Sequence, residues 1–197
     1  MAILLPLARR SQRLSWAAGS AMPVVTYAVV ALALLVVTKL SVDLLPFAPI
    51  PPHPFPDKPW FEGWARWDTG WYWAIARDGY YYAGPNQQSP VAFFPAYPLA
   101  MRAVGWVVGD LLVAGVLVSF AAGLGSVVLF HRWCRSAAGR PVARLALVLL
   151  VTYPFSFYLF GVVYSDALFL AAALGAFALV EHDRPLLAGL AGAVATA

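Results

Sequence analysis

Few residues of this chain carry a charge, and only one is a cysteine. Asp, Glu, Lys and Arg make up 11% of its 197 residues, whereas 62% are hydrophobic and the mean hydropathy is +0.75. Soluble domains contain about a quarter charged residues, so this composition excludes an ordinary soluble domain and predicts an all-α polytopic membrane protein. The single cysteine, Cys134, excludes an intrachain disulfide and a paired-cysteine metal site.

Histidine is scarce, and the common nucleotide and hydrolase motifs are missing. The three histidines fall in different loops, which argues against a histidine metal site. The sequence contains no P-loop, GxGxxG, GxSxG or HExxH pattern. The net charge is +4, but the basic residues cluster beside apolar runs and form no stripe, so no nucleic-acid partner is expected.

The apolar runs predict the membrane topology. A first span at about 22–45 follows three arginines, so the positive-inside rule places the amino terminus in the cytoplasm. A second span at about 106–130 leads to a basic stretch that belongs on the same side. Two more spans, at about 143–160 and 163–180, are expected to be joined by a tight turn near Gly161. A cleaved signal peptide is the competing interpretation of the first run.

The last apolar run, 186–197, supplies 12 residues where a span needs about 20. We therefore expect residues 1–197 to be a single membrane domain from the amino-terminal part of a longer protein, or one that needs a partner to complete its bundle. Arginine outnumbers lysine, and Ala, Val, Leu and Gly dominate. This composition indicates a bacterial source and hence a bacterial plasma membrane.

The loop at about 46–105 is predicted to be extracytoplasmic. Its seven prolines between residues 46 and 59 predict an extended strap. Four tryptophans follow, namely Trp60, Trp64, Trp67 and Trp71. Their i, i+4, i+7, i+11 spacing is that of one helical face, which predicts one or two interfacial helices in contact with membrane lipids. We expect an interruption at Gly63 or Gly70 and a C-cap at Gly79.

Asp68 is the candidate catalytic residue of this segment. A carboxylate flanked by Trp67 and Trp71 at an interface is expected to be partly shielded from water, which favours its action as a base toward a hydroxyl. The structural alternative is that Asp68 caps a helix or pairs with Arg66 or Arg77.

Asp166 is the second candidate. It follows the outer turn in an otherwise apolar stretch, where an ionisable residue usually faces a cavity or a partner. The alternative is a cap at a helix start by Ser165 or Asp166, since a carboxylate there also suits the helix dipole. Cations on the same side offer contacts for a phosphate. They are Lys39, Lys58, Arg66, Arg77 and Arg102.

Four motifs occur in order along the chain. They are Trp67-Asp68 with Ile75-Ala76-Arg77-Asp78-Gly79-Tyr80, then Ala92-Phe93-Phe94-Pro95-Ala96-Tyr97-Pro98-Leu99, then Tyr153-Pro154-Phe155-Ser156, and finally Tyr164-Ser165-Asp166-Ala167-Leu168-Phe169. In these motifs the chain resembles the amino-terminal half of the PIG-V family of integral-membrane mannosyltransferases. The resemblance implies a GT-C-like helical bundle with a large first extracytoplasmic loop, a polyprenyl-phosphate-mannose donor, and an acidic residue of that loop at the reaction centre.

Carried over by motif, Asp68 takes the acidic position and would act as the base of an inverting transfer. The implied substrate-binding residues are Trp67, Trp71, Arg77, Phe94, Tyr164, Ser165 and Asp166. Eukaryotic members more often have Glu at the last of these positions. Their acceptor is a glycosylphosphatidylinositol precursor, which a bacterium lacks, so the resemblance leaves the acceptor open among lipids, glycans and proteins.

Other function classes remain open from the sequence. In a transporter or channel fragment, Asp166 would be a coupling or substrate site. A noncatalytic membrane subunit or scaffold would also fit a short chain. The concentration of polar residues in one outer loop favours the enzyme over the transporter. No cofactor is assigned, although a divalent metal would serve to balance the leaving phosphate, and the 197-residue chain alone is expected to be inactive.

Overall fold

The computed structural model describes residues 21–45, 55 and 57–197, and these residues form helices and loops without β-strands. The predicted all-α class is therefore confirmed. The α-helices of the described residues are α1 (Met22–Leu44), α2 (Thr69–Asp78), α3 (Ala96–Val108), α4 (Leu111–Thr152), α5 (Asp166–Glu181) and α6 (Pro185–Thr196), and the short 3₁₀ helices are Glu62–Trp64, Pro90–Ala92 and Pro154–Leu159. The amino-terminal arginines and most of the predicted proline strap lie outside the described residues.

Two helices in the described part of the chain are long and apolar enough to cross a membrane. α1 has 23 residues and a mean hydropathy of 2.1 in its most apolar part, and α4 has 42 residues and reaches 2.3. α1 turns valine and leucine side chains outward along its length, among them Val25, Val29 and Leu32. Such side chains suit a lipid environment. Membrane association is supported at the level of these two helices.

The chain reverses inside α4 at Gly139. The backbone there has φ 84° and ψ 175°, outside the helical region, and Pro141 follows two residues later. Residues 111–138, which we call the first arm, form a rod about 42 Å long. The carbonyl oxygen of Leu159 nevertheless lies against Gly123, near the middle of that rod. Residues 140–152, the second arm, therefore run back along the first.

The start of α4 differs from the predicted second span. α3 forms a separate helix, and the chain breaks at Gly109, which has φ 76°. The side chain of Asp110 then caps α4, because its Oδ1 accepts a hydrogen bond from the N–H of Val113 at 2.9 Å. The helix predicted at about 106–130 consequently begins at Leu111.

A turn joins the second arm to α5 at the end of the bundle that also carries α2, which we call the outer end. The second arm ends at Thr152, where Tyr153-Pro154 breaks the helix. The helix predicted at about 143–160 is therefore shorter. Gly161 has φ 113°, so the tight turn expected there is present. α5 stands in place of the span predicted at about 163–180.

Buried hydrogen bonds attach this turn to α1 and to the first arm. The Oη of Tyr27, in α1, lies 2.8 Å from the carbonyl oxygen of Leu159. Ser119 Oγ donates to the carbonyl oxygen of Val162 at 2.6 Å. Gly123 makes the close approach feasible, because a Cβ there would lie 1.8 Å from the carbonyl oxygen of Leu159. These contacts fix where the residues after the turn emerge.

Candidate functional site

The four tryptophans do not share a helical face, so that prediction is wrong. Helix is present only in the 3₁₀ segment Glu62–Trp64 and again in α2, and the interruption falls at residues 65–68 rather than at a glycine. Trp64 is completely buried, whereas Trp67 is 70% exposed. Trp67 has φ 47°, and this left-handed backbone turns the chain between the two helices. α2 ends at Gly79, the predicted C-cap.

Asp68 stands where this turn meets α2. Its backbone N–H donates to Tyr164 Oη at 2.7 Å, and its carbonyl oxygen accepts from the N–H of Trp71 at 2.9 Å. Thr69 braces the same junction, because its Oγ1 donates to the carbonyl oxygen of Arg66 at 2.8 Å. Hydrogen bonds to the backbone N–H and to the carbonyl oxygen of Asp68 thus fix the position of this residue.

The carboxylate of Asp68 is exposed and makes no cap hydrogen bond to α2. The expected shielding by tryptophan and the alternative role as a side-chain cap are therefore both wrong. Arg77 lies nine residues further along, about 13 Å down the helix axis, and pairs instead with Asp78, with 2.6 Å between Nη2 and Oδ2. The structure does not bring Arg77 to Asp68. A carboxylate held by its backbone and open to solvent can accept a proton from an approaching hydroxyl.

The motif that begins at Tyr164-Ser165-Asp166, which we call the second outer motif after the first at Trp67-Asp68, lies beside this junction. Tyr164 bonds the backbone of Asp68, and Ser165 Oγ lies 3.0 Å from Tyr72 Oη of α2. Asp166 is exposed and is the first residue of α5, the position at which a helix dipole favours a carboxylate. The placement agrees with the helix-start alternative for Asp166. Two motifs separated by 96 residues in sequence are brought together at the outer end.

Aromatic rings line one side of this junction. Tyr158, in the 3₁₀ helix before the turn, lies between Trp67 and Tyr164, with ring centroids 6.4 and 5.3 Å from its own. Such offset and tilted arrangements are the ones that aromatic pairs prefer. The exposed ring of Trp67 therefore rests on a supported aromatic surface next to Asp68.

Phe93, rather than the predicted Phe94, contacts the site on its other side. The ring of Phe93 lies 6.0 Å from that of Trp71 and 5.2 Å from that of Tyr72. Phe94 is 65% exposed, and these ring contacts belong to Phe93. The predicted site residues therefore divide: the tryptophans and the second motif gather around Asp68, whereas Arg77 and Phe94 do not.

Burial and nearby charge act on the tyrosine hydroxyls of the site. Burial raises the pKa of Tyr164 to about 12; the hydrogen bond from the backbone N–H of Asp68 lowers it, and the negative charge of Asp68 raises it. Burial likewise raises the pKa of Tyr72; the hydrogen bond with Ser165 lowers it, and the negative charges of Asp166 and Asp68 raise it. Since both carboxylates act on one hydroxyl, they belong to a single electrostatic environment.

The comparisons with known proteins do not assign a family. The chain matches no protein-family model, no curated protein and no solved structure. A function for the chain must therefore come from the residues and geometry of the site.

Metal ligation by the protein alone finds no support in the described part of the chain. Among those residues, no three His, Cys, Asp or Glu side chains are grouped so that they could hold a metal ion. A divalent ion at this site would need ligands from a substrate or from residues outside the described ranges.

Besides Phe93, two further contributors to the site were missed in the sequence, Tyr72 and Tyr158. Tyr72 lies four residues after Asp68, and side chains at that spacing share a helix face, so the helical period could have identified it. Tyr158 lacks such a signal, because its contact with Trp67 depends on the turn between the second arm and α5. That turn places side chains by tertiary packing rather than by local periodicity.

Proposed function

We propose that this protein is an integral-membrane mannosyltransferase similar to the PIG-V family, with Asp68 as its catalytic base. It would transfer mannose from a polyprenyl-phosphate-mannose donor to a hydroxyl of a lipid, glycan or protein acceptor. The proposed architecture is a polytopic, GT-C-like bundle in a bacterial plasma membrane. Its amino terminus would be cytoplasmic and the outer end extracytoplasmic.

The observation that carries the proposal is the joining of the two outer motifs. The N–H of Asp68 donates to Tyr164 Oη, and Tyr72 Oη lies within hydrogen-bond distance of Ser165 Oγ. These bonds hold a carboxylate in place without using its oxygens. An aspartate with a purely structural role would be expected to use its carboxylate oxygens in a helix cap or an ion pair. A catalytic base, in contrast, needs those oxygens accessible to the acceptor hydroxyl.

The proposed reaction requires one proton acceptor. The bond between the mannose C1 and the donor phosphate oxygen breaks, and the phosphate leaves as an anion that needs no general acid. The acceptor oxygen bonds to C1 from the opposite face, so the configuration at C1 inverts. The acceptor proton passes to the carboxylate of Asp68, and a base of this kind contributes roughly 10²–10⁴-fold to a rate.

The neighbouring aromatic rings suit a sugar substrate. Ligand sites commonly combine apolar and aromatic surfaces with a few polar groups that fix orientation. Here Trp67 presents an exposed ring supported by Tyr158, and Trp71 is backed by Phe93. The apolar face of a pyranose could pack on such a ring while its hydroxyls reach Asp68 and Asp166.

The test is transfer of labelled mannose from polyprenyl-phosphate-mannose by membranes from cells that express the complete gene. We expect Asp68→Asn to lower the rate by at least about 100-fold, the lower range for loss of a general base. Asp57→Asn is the matched control, because Asp57 is an exposed aspartate outside the joined motifs. Its rate should equal that of the wild type at equal expression.

The outcomes separate the alternatives. Equal transfer by the wild type and Asp68→Asn, with equal membrane insertion, would assign Asp68 a structural role. If the wild type transfers no mannose from this donor, the donor assignment fails and a transporter or a scaffold gains weight. Ion or solute flux lost on Asp166→Asn would then favour the transporter.

A further inference from the structure

A cleft separate from the joined motifs lies between the end of α2 and the start of α3. It encloses about 100 Å³, its apolar walls include Pro95, Pro98 and Leu99, and Arg102 provides its single charge. α2 has ten residues and is therefore about 15 Å long. Asp68 stands at the start of this helix and the cleft at its end, so the cleft is a second site.

The volume of the cleft limits the apolar part of a ligand. Pockets that bury a whole small ligand measure roughly 300–1,000 Å³, and an apolar protein cavity of about 150 Å³ holds one benzene ring. In proportion, the cleft of about 100 Å³ has room for roughly four carbons. This is the size of a branched aliphatic group such as a leucine side chain. A sugar ring or a long hydrocarbon chain would extend beyond the cleft.

The guanidinium of Arg102 forms the polar part of the cleft. Its Nε donates to the carbonyl oxygen of Ala76 at 2.6 Å, and its Nη2 donates to that of Ile75 at 3.3 Å. Both carbonyls belong to the last turns of α2, so Arg102 stabilises this helix end. An arginine has five N–H donors, and these two bonds use two of them. Donors on Nη1 and Nη2 therefore remain for a ligand.

The charges around Arg102 favour a ligand with one negative charge. Asp78 lies close enough for the charge of Arg102 to act on it, but its carboxylate is paired with Arg77. The carbonyl end of α2 adds negative partial charge. One guanidinium can thus balance a single negative charge, whereas a phosphate monoester carries about −1.5 to −2 at neutral pH. A carboxylate carries one charge, and its two oxygens match the planar fork of an arginine.

We propose that this cleft binds a short branched aliphatic carboxylate, either a free acid or the carboxyl terminus of a peptide that ends in an aliphatic residue. The carboxylate pairs with the Nη1 and Nη2 donors of Arg102. The aliphatic group lies against Ile75, Pro98 and Leu99, which line the cleft. The inference goes beyond the proposed function, because this ligand takes no part in the transfer of mannose.

The test measures binding on the full chain in nanodiscs of neutral phosphatidylcholine, with empty nanodiscs as the blank. Ligand-detected NMR gives the dissociation constants of isocaproate and N-acetyl-leucine, which represent the free acid and the peptide terminus. The tighter binder of the two identifies the source. Isocaproamide has the same shape without the charge, and acetate has the charge without the aliphatic group. We expect each of these controls to bind at least 10-fold more weakly.

Three variants of the cleft and one control define the site. Arg102→Gln, which keeps a donor for the carbonyl of Ala76, should weaken isocaproate binding at least 10-fold. Arg102→Lys should weaken it less, because lysine keeps the charge but loses the planar fork. Leu99→Asn should also weaken it, because part of the apolar wall is lost. Arg140→Gln, at an exposed position beside the reversal in α4, is the matched control and should bind as the wild type does. The melting temperature of each variant reports whether it is folded.

Several results would overturn the inference. These are equal binding of isocaproamide or acetate, equal binding by folded Arg102→Gln, and tighter binding of octanoate or isopentyl phosphate, which add a longer chain and a second charge. If Arg102→Gln does not fold, unchanged binding by Leu99→Asn would have the same meaning. Isocaproate binding without mannose transfer would sustain this inference while the proposed function fails, and transfer without isocaproate binding would do the reverse.

Discussion

The outer end of this protein and its exposed helix faces are stabilised by different kinds of interaction. At the outer end, Asp68 and Tyr164 are joined by a hydrogen bond between backbone and side chain, and Tyr72 adds a second link through Ser165. α5, by contrast, exposes large apolar side chains such as Phe177 to its surroundings. The outer end depends on specific hydrogen-bond partners, whereas the exposed helix faces require only an apolar environment.

The difference follows from what each region must satisfy. An α-helix bonds its own backbone groups, so its apolar face requires nothing more than an apolar environment. An irregular turn leaves backbone groups that need specific partners. At the outer end those partners include the hydroxyls of Tyr27, Ser119 and Tyr164. Substitutions should therefore have large effects at the outer end and small ones on the exposed helix faces.

The largest contrast is expected between two glycines. In Gly123→Ala the new Cβ would lie 1.8 Å from the carbonyl oxygen of Leu159 and 2.8 Å from Tyr27 Oη. The clash is with backbone, which cannot turn away, so we expect a loss of about 3 kcal/mol of unfolding free energy, at the upper end for overpacked cores. Thermal unfolding in detergent measures the change.

The control for this comparison is Gly175→Ala in α5, where a Cβ would meet nothing within 4 Å. Alanine is favoured over glycine inside a helix by about 0.5–1 kcal/mol, so this variant should be no less stable than the wild type. Equal stability of the two variants would show that the contact between Gly123 and Leu159 does not hold the outer end in place.

A smaller effect is expected from Tyr164→Phe, which keeps the ring but removes the acceptor for the N–H of Asp68. A hydrogen bond contributes about 0.5–1.5 kcal/mol, so we expect mannose transfer to fall about 10-fold without loss of the fold. Tyr81→Phe, at an exposed tyrosine of the outer loop, should leave the rate unchanged. Equal rates for both variants would remove Tyr164 from the positioning of Asp68.

The smallest effect concerns alkaline pH. The pKa of an ordinary tyrosine is about 10, whereas burial raises the pKa of Tyr164 to about 12. Between these values the unfolded chain loses the proton that the folded chain retains, so stability falls as pH rises from about 10 to 12. Denaturation midpoints at several pH values should show this fall, and Tyr164→Phe should reduce it. An unchanged fall in the variant would mean that other groups produce it.

The helical class and the break at Tyr153-Pro154 could be predicted, because apolar runs and proline act locally. Counting the predicted spans between Asp68 and Asp166 also predicted that the two residues lie at the same end of the bundle. The prediction of a shared tryptophan face was wrong, because Trp67 adopts a left-handed backbone conformation that its spacing from Trp64 does not reveal. A periodic pattern describes a helix only if the chain remains helical throughout.

The choice between neighbouring aromatics could not be made from sequence. Phe93 and Phe94 have the same chemistry, and only the path of the chain into α3 turns the first toward Tyr72 and the second outward. The reversal at Gly139 was different, because it falls between the predicted spans at about 106–130 and 143–160, where the sequence already required the chain to turn back. The sequence did not show that helix continues up to the glycine and resumes directly after it.

The exposed ring of Trp67 has a practical consequence for following the protein in solution. Indole emission responds to the polarity around the ring, and this ring sits in solvent beside Asp68 while Trp64 is sealed in the interior. A molecule that binds on Trp67 would shift the emission of that one indole among the eight of the chain, whereas the buried Trp64 would not respond. The difference spectrum between the protein and its Trp67→Phe variant would isolate that signal, giving an optical titration that needs no label and no turnover.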